Sequence, residues 1–191
     1  MRDPEIRLAA KTSFLASFVK NPDVLVIEEL GLRHGAGRVD IAVVNGDLHG
    51  YEIKSDQDTL KRLPQQIAIY GSVLDRVSLI VTSEHLSQAE KSVPFWWGIV
   101  LANRAIEGSV TFNVVRSGSK NHSVSSSEVL KLLWREEALA VLEELQAANG
   151  MKSKSRKLIY NRIHELIELT DIQDRVRRAL KTRKCWRSAE Q

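Results

Sequence analysis

The chain has 191 residues, 43% hydrophobic and 27% charged, with a formal net charge of +4, enough for one buried core with an appendage or for two small domains. One cysteine, Cys185, excludes an internal disulfide; no CxxC spacing points to zinc, and no apolar run is long enough for a bilayer, so a reducing cytoplasm is the expected setting. The charge is uneven: residues 1–150 hold 16 Lys and Arg against 19 Asp and Glu, and residues 151–191 hold 12 against 5, an excess that suits a polyanionic partner and equally a solvated helix face.

Along residues 4–19, Ile6, Ala10, Phe14, Leu15 and Phe18 fall at helical spacing, which predicts one amphipathic helix. Charges at Glu5, Arg7 and Lys11 argue against a signal-peptide core there. VLVIEEL (24–30) reads as a buried strand, GLRHGAG as a loop, and residues 38–54 as a hairpin. A helix is expected from Pro64, because proline fits the first turn and disrupts the interior. Strands at 77–82, 96–102 and 110–115 and a short helix at 84–92 follow. This order predicts an α/β domain over 1–117, with a mixed sheet flanked by helices. Residues 118–127, polar and serine-rich, are expected to be a linker. Residues 128–191 form the expected C-terminal helical subdomain: a leucine run to Gly150, then KSRKLIYNRIHELIEL and DIQDRVRRALKTR.

The hairpin places Asp40, Glu52 and Lys54 inside apolar strands. Side chains alternate across a strand, so Glu52 and Lys54 share a face. A two-residue turn at Asn45-Gly46 puts Asp40 on the other face, whereas a connection of three or five residues brings it to Glu52. Burial favours the odd length, which gathers Val39, Ile41, Val43, Tyr51 and Ile53 on one apolar face. Two neighbouring carboxylates repel and lose hydration unless a cation joins them. Lys54 can be that cation in a structural ion cluster. Alternatively Mg²⁺ or Mn²⁺ is held by Asp40, Glu52 and the Ile53 backbone carbonyl, with Lys54 orienting water or offsetting charge on a phosphate.

Asp, eleven residues, then Glu-x-Lys resembles the PD-(D/E)XK phosphodiesterase superfamily, with Val39 where the motif's proline would stand. Gln66 and Tyr70, one helical turn apart, are similar to the Gln-x-x-x-Tyr motif of its RecB-like branch; the resemblance implies that they approach the site and the substrate backbone. EELGL, RVDIAVVNG, HGYEIKSDQDTLKRLPQQ, VPFWWGI, KLLWREEAL and the C-terminal WRS are similar to a bacterial family of comparable length assigned to that superfamily by motif. The resemblance implies a restriction-endonuclease-like fold and a metal-dependent nuclease.

Alternation lets only one of Glu28 and Glu29 reach the site as a third acid; Glu29 is preferred, with Glu5 a competitor. Arg38, Lys61 and Arg62 flank the site and are candidates for phosphate contacts. His34 and His49 lack metal-ligand spacing, and His49 faces away from Glu52. Trp96 and Trp97 read as packing. Lys154, Arg156, Arg177 and Arg178 lie in two helices that could contact nucleic acid as a helical hairpin. The expected partners are therefore nucleic acid, DNA ahead of RNA, and a second copy or a neighbour-encoded protein, with no membrane. The rival expectation is a catalytically silent nucleic-acid-binding or assembly module; a component of a restriction, repair or phage-defence machine is a third.

Overall fold

The first apolar stripe folds as α1 (Asp3–Ala9), a π turn (Ala10–Phe14) and α2 (Ala16–Val19), not as one uninterrupted helix. Ile6 and Ala10 are four apart and fully buried, but the next buried residue, Leu15, comes five later. An α-helix would carry that fifth position off the buried line. The π turn, closed by the Leu15 N–H donating to the Ala10 carbonyl at 2.7 Å, brings it back.

The structure is a computed structural model that describes residues 1–183; Cys185 and the WRS at 186–188 lie outside the described residues. The chain divides into two compact units, Met1–Val124 and a second that begins at Ser125. In the first, six strands lie side by side in chain order: β1 (Leu25–Leu32), β2 (Gly37–Val44), β3 (Leu48–Lys54), β4 (Arg76–Val81), β5 (Gly98–Arg104) and β6 (Val110–Arg116). Strands β1 to β3 are antiparallel. Helices α3 (Leu63–Val73) and α4 (Ser83–Ser92) carry the chain to β4 and β5, each parallel to its predecessor, and β6 returns antiparallel. The fold is thus α/β, with a mixed sheet flanked by helices and a helical part after it. Among the described residues, no helix is long and apolar enough to cross a membrane.

Val44 pairs with Leu48, so Asn45, Gly46 and Asp47 make a three-residue connection of the expected odd length. Gly46 takes φ +111°, the conformation that favours glycine. Ile41, Val43, Tyr51 and Ile53 then meet Ile6, Ala10 and Leu15 in one core cluster. Val39, expected in that row, is elsewhere: a Cβ on Gly50 would lie 3.1 Å from Val39 Cγ2 and 2.5 Å from Leu74 Cδ1. The alternation lapses because β1–β2 pairing skips a step between Glu28–Ile41 and Leu30–Val39. At that step Glu29 takes φ +56°, a left-handed conformation that costs a non-glycine residue energy.

Residues 118–121, expected as linker, are docked on the sheet unit. The Ser119 N–H donates to the Trp96 carbonyl at 2.9 Å, and the Asn121 amide donates to the carbonyls of Gly71 (2.7 Å) and Leu74 (3.0 Å) at the end of α3. A polar, serine-rich stretch supplies the donors that helix-end carbonyls lack, so its composition did not signal a free tether.

The second unit holds α5 (Ser126–Leu130), α6 (Arg135–Glu144), α7 (Arg156–Leu166) and α8 (Leu169–Thr182). The leucine run therefore breaks between Lys131 and Trp134. A new helix starts there because Glu137 accepts the Trp134 N–H at 2.7 Å, satisfying a donor that a helix start leaves open. Arg183 holds the corner, stacked 4.2 Å over the Trp134 ring and 2.6 Å from Glu137.

Candidate active site

Glu52 and Lys54 point to one side of β3, and each is only 3% exposed. A buried carboxylate requires donors, and Glu52 has three: Lys54 Nζ at 2.6 Å from Oε1, Gln66 Nε2 on the same oxygen, and the Tyr70 hydroxyl at 2.7 Å from Oε2. Gln66 and Tyr70 come from α3, one turn apart, as their spacing required. The Tyr70 oxygen is also 2.6 Å from the Arg38 carbonyl, so its single proton has two acceptors in reach. Trp97, fully buried, stacks behind Tyr70 with ring centroids 6.0 Å apart. Burial and then the Glu52 charge push the Tyr70 hydroxyl well above the usual tyrosine range. The Gln66 Oε1 atom is buried without a hydrogen-bond partner.

The hairpin pattern puts Asp40 on the face of Glu52, and in the structure the Asp40 carboxylate feels the Glu52 charge while a backbone donor holds it. Strand pairing of β2 with β3 ends at Ile41–Tyr51, and Asp40 Oδ2 accepts the Ile53 N–H at 2.7 Å. A strand N–H points within the sheet plane, so this carboxylate lies in the seam where β2 leaves β3. An extended residue aims its N–H and C=O at the same edge, which turns the Ile53 carbonyl towards the seam too. Burial first and the Glu52 charge second raise the Asp40 pKa to about 7, against the opposing pull of the Ile53 N–H and Arg7.

Arg7 is the member of the site that sequence reasoning missed. Its guanidinium donates to Asp40 Oδ1 (2.8 Å), the Asp40 carbonyl (3.1 Å), Glu29 Oε1 (2.6 Å) and Asp3 Oδ1 (3.2 Å). The available signal was an excess of acid on β1 and β2 facing a helix with one suitably placed arginine.

Glu29 is thus tied to Arg7, and to Arg38 at 3.4 Å, while Glu28 pairs with Lys11. Glu5 is engaged elsewhere, with Arg104 at 2.9 Å. Arg38, Lys61 and Arg62 are exposed, the last two on the 3-10 turn that leads into α3. Lys154, Arg156 and Arg178 are exposed in the helical unit, where Arg177 pairs with Asp174. His49 stacks on Tyr51 at 4.2 Å and meets the Ser78 hydroxyl at 3.0 Å.

The donor set can be tested against a divalent cation. Two carboxylates, a strand carbonyl and the unpartnered Gln66 oxygen are hard oxygen donors of the kind Mg²⁺ and Mn²⁺ take. Among the described residues, no group of three or more His, Cys, Asp or Glu side chains is arranged for a metal. A cation here would therefore complete its sphere with carbonyl or amide oxygens and water, which fits the chemistry of those ions.

The family described as bacteriophage P4 protein cII matches residues 5–189. Protein cII of Enterobacteria phage P4 is 26% identical over 182 residues, covering 92% of this chain and 68% of the phage protein. A solved structure of a protein of unknown function from Silicibacter pomeroyi aligns with 81% of this chain and 97% of its own, at 20% identity and a TM-score of 0.47. With nearly its whole length matched by one family description, the chain belongs to the bacteriophage P4 protein cII family.

Proposed function

We propose that this protein is a metal-dependent nuclease of the PD-(D/E)XK type that hydrolyses phosphodiester bonds, with DNA the favoured substrate. The observation that carries the reading is the direct contact of Glu52 with Lys54, Gln66 and Tyr70, the residues that both motifs single out. An N-terminal helical segment, three antiparallel strands, a helix and a parallel strand follow in the order that the resemblance implies. Asp40, Glu52 and the Ile53 carbonyl would hold Mg²⁺ or Mn²⁺, which when bound supplies an acidified water and charge against the phosphate. Lys54 would orient the nucleophile or offset the growing negative charge. Tyr70 and Gln66 fix the Glu52 rotamer. The exposed Arg38, Lys61 and Arg62 would grip backbone phosphates, a contact that positions without reading sequence.

One observation favours a second reading, a catalytically silent nucleic-acid-binding or assembly module. Every carboxylate oxygen of Glu52 and Asp40 already has a donor group within hydrogen-bond reach, as a structural ion cluster would require. Incubating the protein with labelled single-stranded and duplex DNA and RNA, with Mg²⁺ or Mn²⁺, separates the two. Cleavage abolished in Lys54→Ala, with binding retained, supports the nuclease. No cleavage of any substrate, with binding unchanged by that substitution, supports the module.

A further inference from the structure

Arg7 reaches the site from α1 and is 16% exposed, at the rim of the seam. Its guanidinium engages oxygens of Asp3, Glu29 and Asp40 at once. Asp40 has one oxygen on the Ile53 N–H and the other on Arg7. A divalent cation approaching that second oxygen would meet a fixed positive charge at hydrogen-bond range, where like charges repel strongly. A phosphodiester presents the planar guanidinium with a matching pair of acceptors. Leaving Asp40 would not strand Arg7, because Asp3 and Glu29 stay within its reach. The left-handed backbone at Glu29 occurs at the step opposite Asp40, and the Glu29 carboxylate is on Arg7.

We infer that Arg7 is a positioning residue that withholds Asp40 from the cation until a nucleic-acid phosphate draws the guanidinium away. The inference rests on the nuclease reading and adds an order of events to it: phosphate first, cation second. Cation affinity is then low in the protein alone, and the seam stays closed to idle metal.

The test is Mn²⁺ binding by the full chain without nucleic acid, followed through the electron paramagnetic resonance signal of free Mn²⁺. The proteins compared are the wild type, Arg7→Gln, Asp40→Asn and the double variant, each checked for a cooperative thermal transition. Arg7→Gln is expected to bind Mn²⁺ at least about tenfold tighter than the wild type, and the double variant to lose that gain. If the glutamine variant does not fold, Arg7→Lys serves, with a smaller gain expected because one ammonium covers fewer of the oxygens. In metal-free buffer, Arg7→Gln is also expected to bind a short DNA duplex several-fold more weakly, an effect that a purely structural arginine would not couple to tighter Mn²⁺. Unchanged Mn²⁺ affinity in Arg7→Gln, with affinity still lowered by Asp40→Asn, overturns the gating role and leaves the metal site standing. A gain that survives in the double variant also overturns it. Absence of Mn²⁺ binding in all the proteins overturns both readings.

Discussion

Burying Lys54 against Glu52 removes two charges from water, a cost repaid only when the remaining hydrogen-bonding capacity is met. Lys54→Met should therefore destabilise the fold by about 3–5 kcal/mol, measured by urea unfolding. Adding Glu52→Gln should recover much of that loss, because no unpaired charge is left inside. His49 makes stability depend on pH. Burial first and the Arg76 charge second press its pKa down to about 4, whereas an unfolded histidine titrates near 6.5. Between those values the unfolded chain binds the extra proton, so the contribution is complete above about pH 6.5 and is lost as pH falls towards 4, amounting to about 3 kcal/mol. Asp40, with its raised pKa, acts in the opposite sense over the same window, so the His49 share is read by difference: between pH 7.5 and pH 4.5 the wild type should lose about 3 kcal/mol relative to His49→Phe, which keeps an aromatic ring beside Tyr51. Strand alternation put Glu52 and Lys54 on one face and the helical repeat put Gln66 and Tyr70 on another, while the meeting of the two pairs was implied by the resemblance. Asp40 in its seam and Arg7 beside it could not be read from sequence, since both depend on where β2 parts from β3 and on a contact across 33 residues.

Among the elements, strand identities followed from apolar runs and turn residues, and the odd hairpin connection followed from burial alone. The π turn left one trace, the five-residue step from Ala10 to Leu15, but Phe14 at the regular step of four masked it; the break in the leucine run was hidden because apolar residues continue at three- and four-residue steps across it. Close backbone approach is equally silent in a sequence. A Cβ on Gly98 would stand 2.6 Å from Ser78 Oγ and 3.0 Å from the backbone nitrogen of Gly118, whereas one on Gly31 would meet nothing within 4 Å. Gly98→Ala should thus cost about 1–3 kcal/mol and Gly31→Ala close to nothing, a contrast that paired denaturation curves would expose. Equal curves would mean that β5 and residue 118 yield more easily than their contact distances imply.

At the scale of the molecule, residues 1–124 contain the sheet, the helices that cover it and the strap from Ser119 to Asn121. A fragment of those residues should unfold in one cooperative transition. A fragment stopping at residue 117 keeps every strand but gives up the Ser119 N–H to the Trp96 carbonyl, the two Asn121 side-chain bonds and the Asn121 N–H to the Asp75 carbonyl. At about 1 kcal/mol each, it should be weaker by roughly 4 kcal/mol. That strap also has a consequence for biosynthesis. During translation the last strand emerges before the asparagine that latches the end of α3, so a nascent sheet must wait for at least five more residues beyond Arg116 to clear the ribosome before its closing bonds can form.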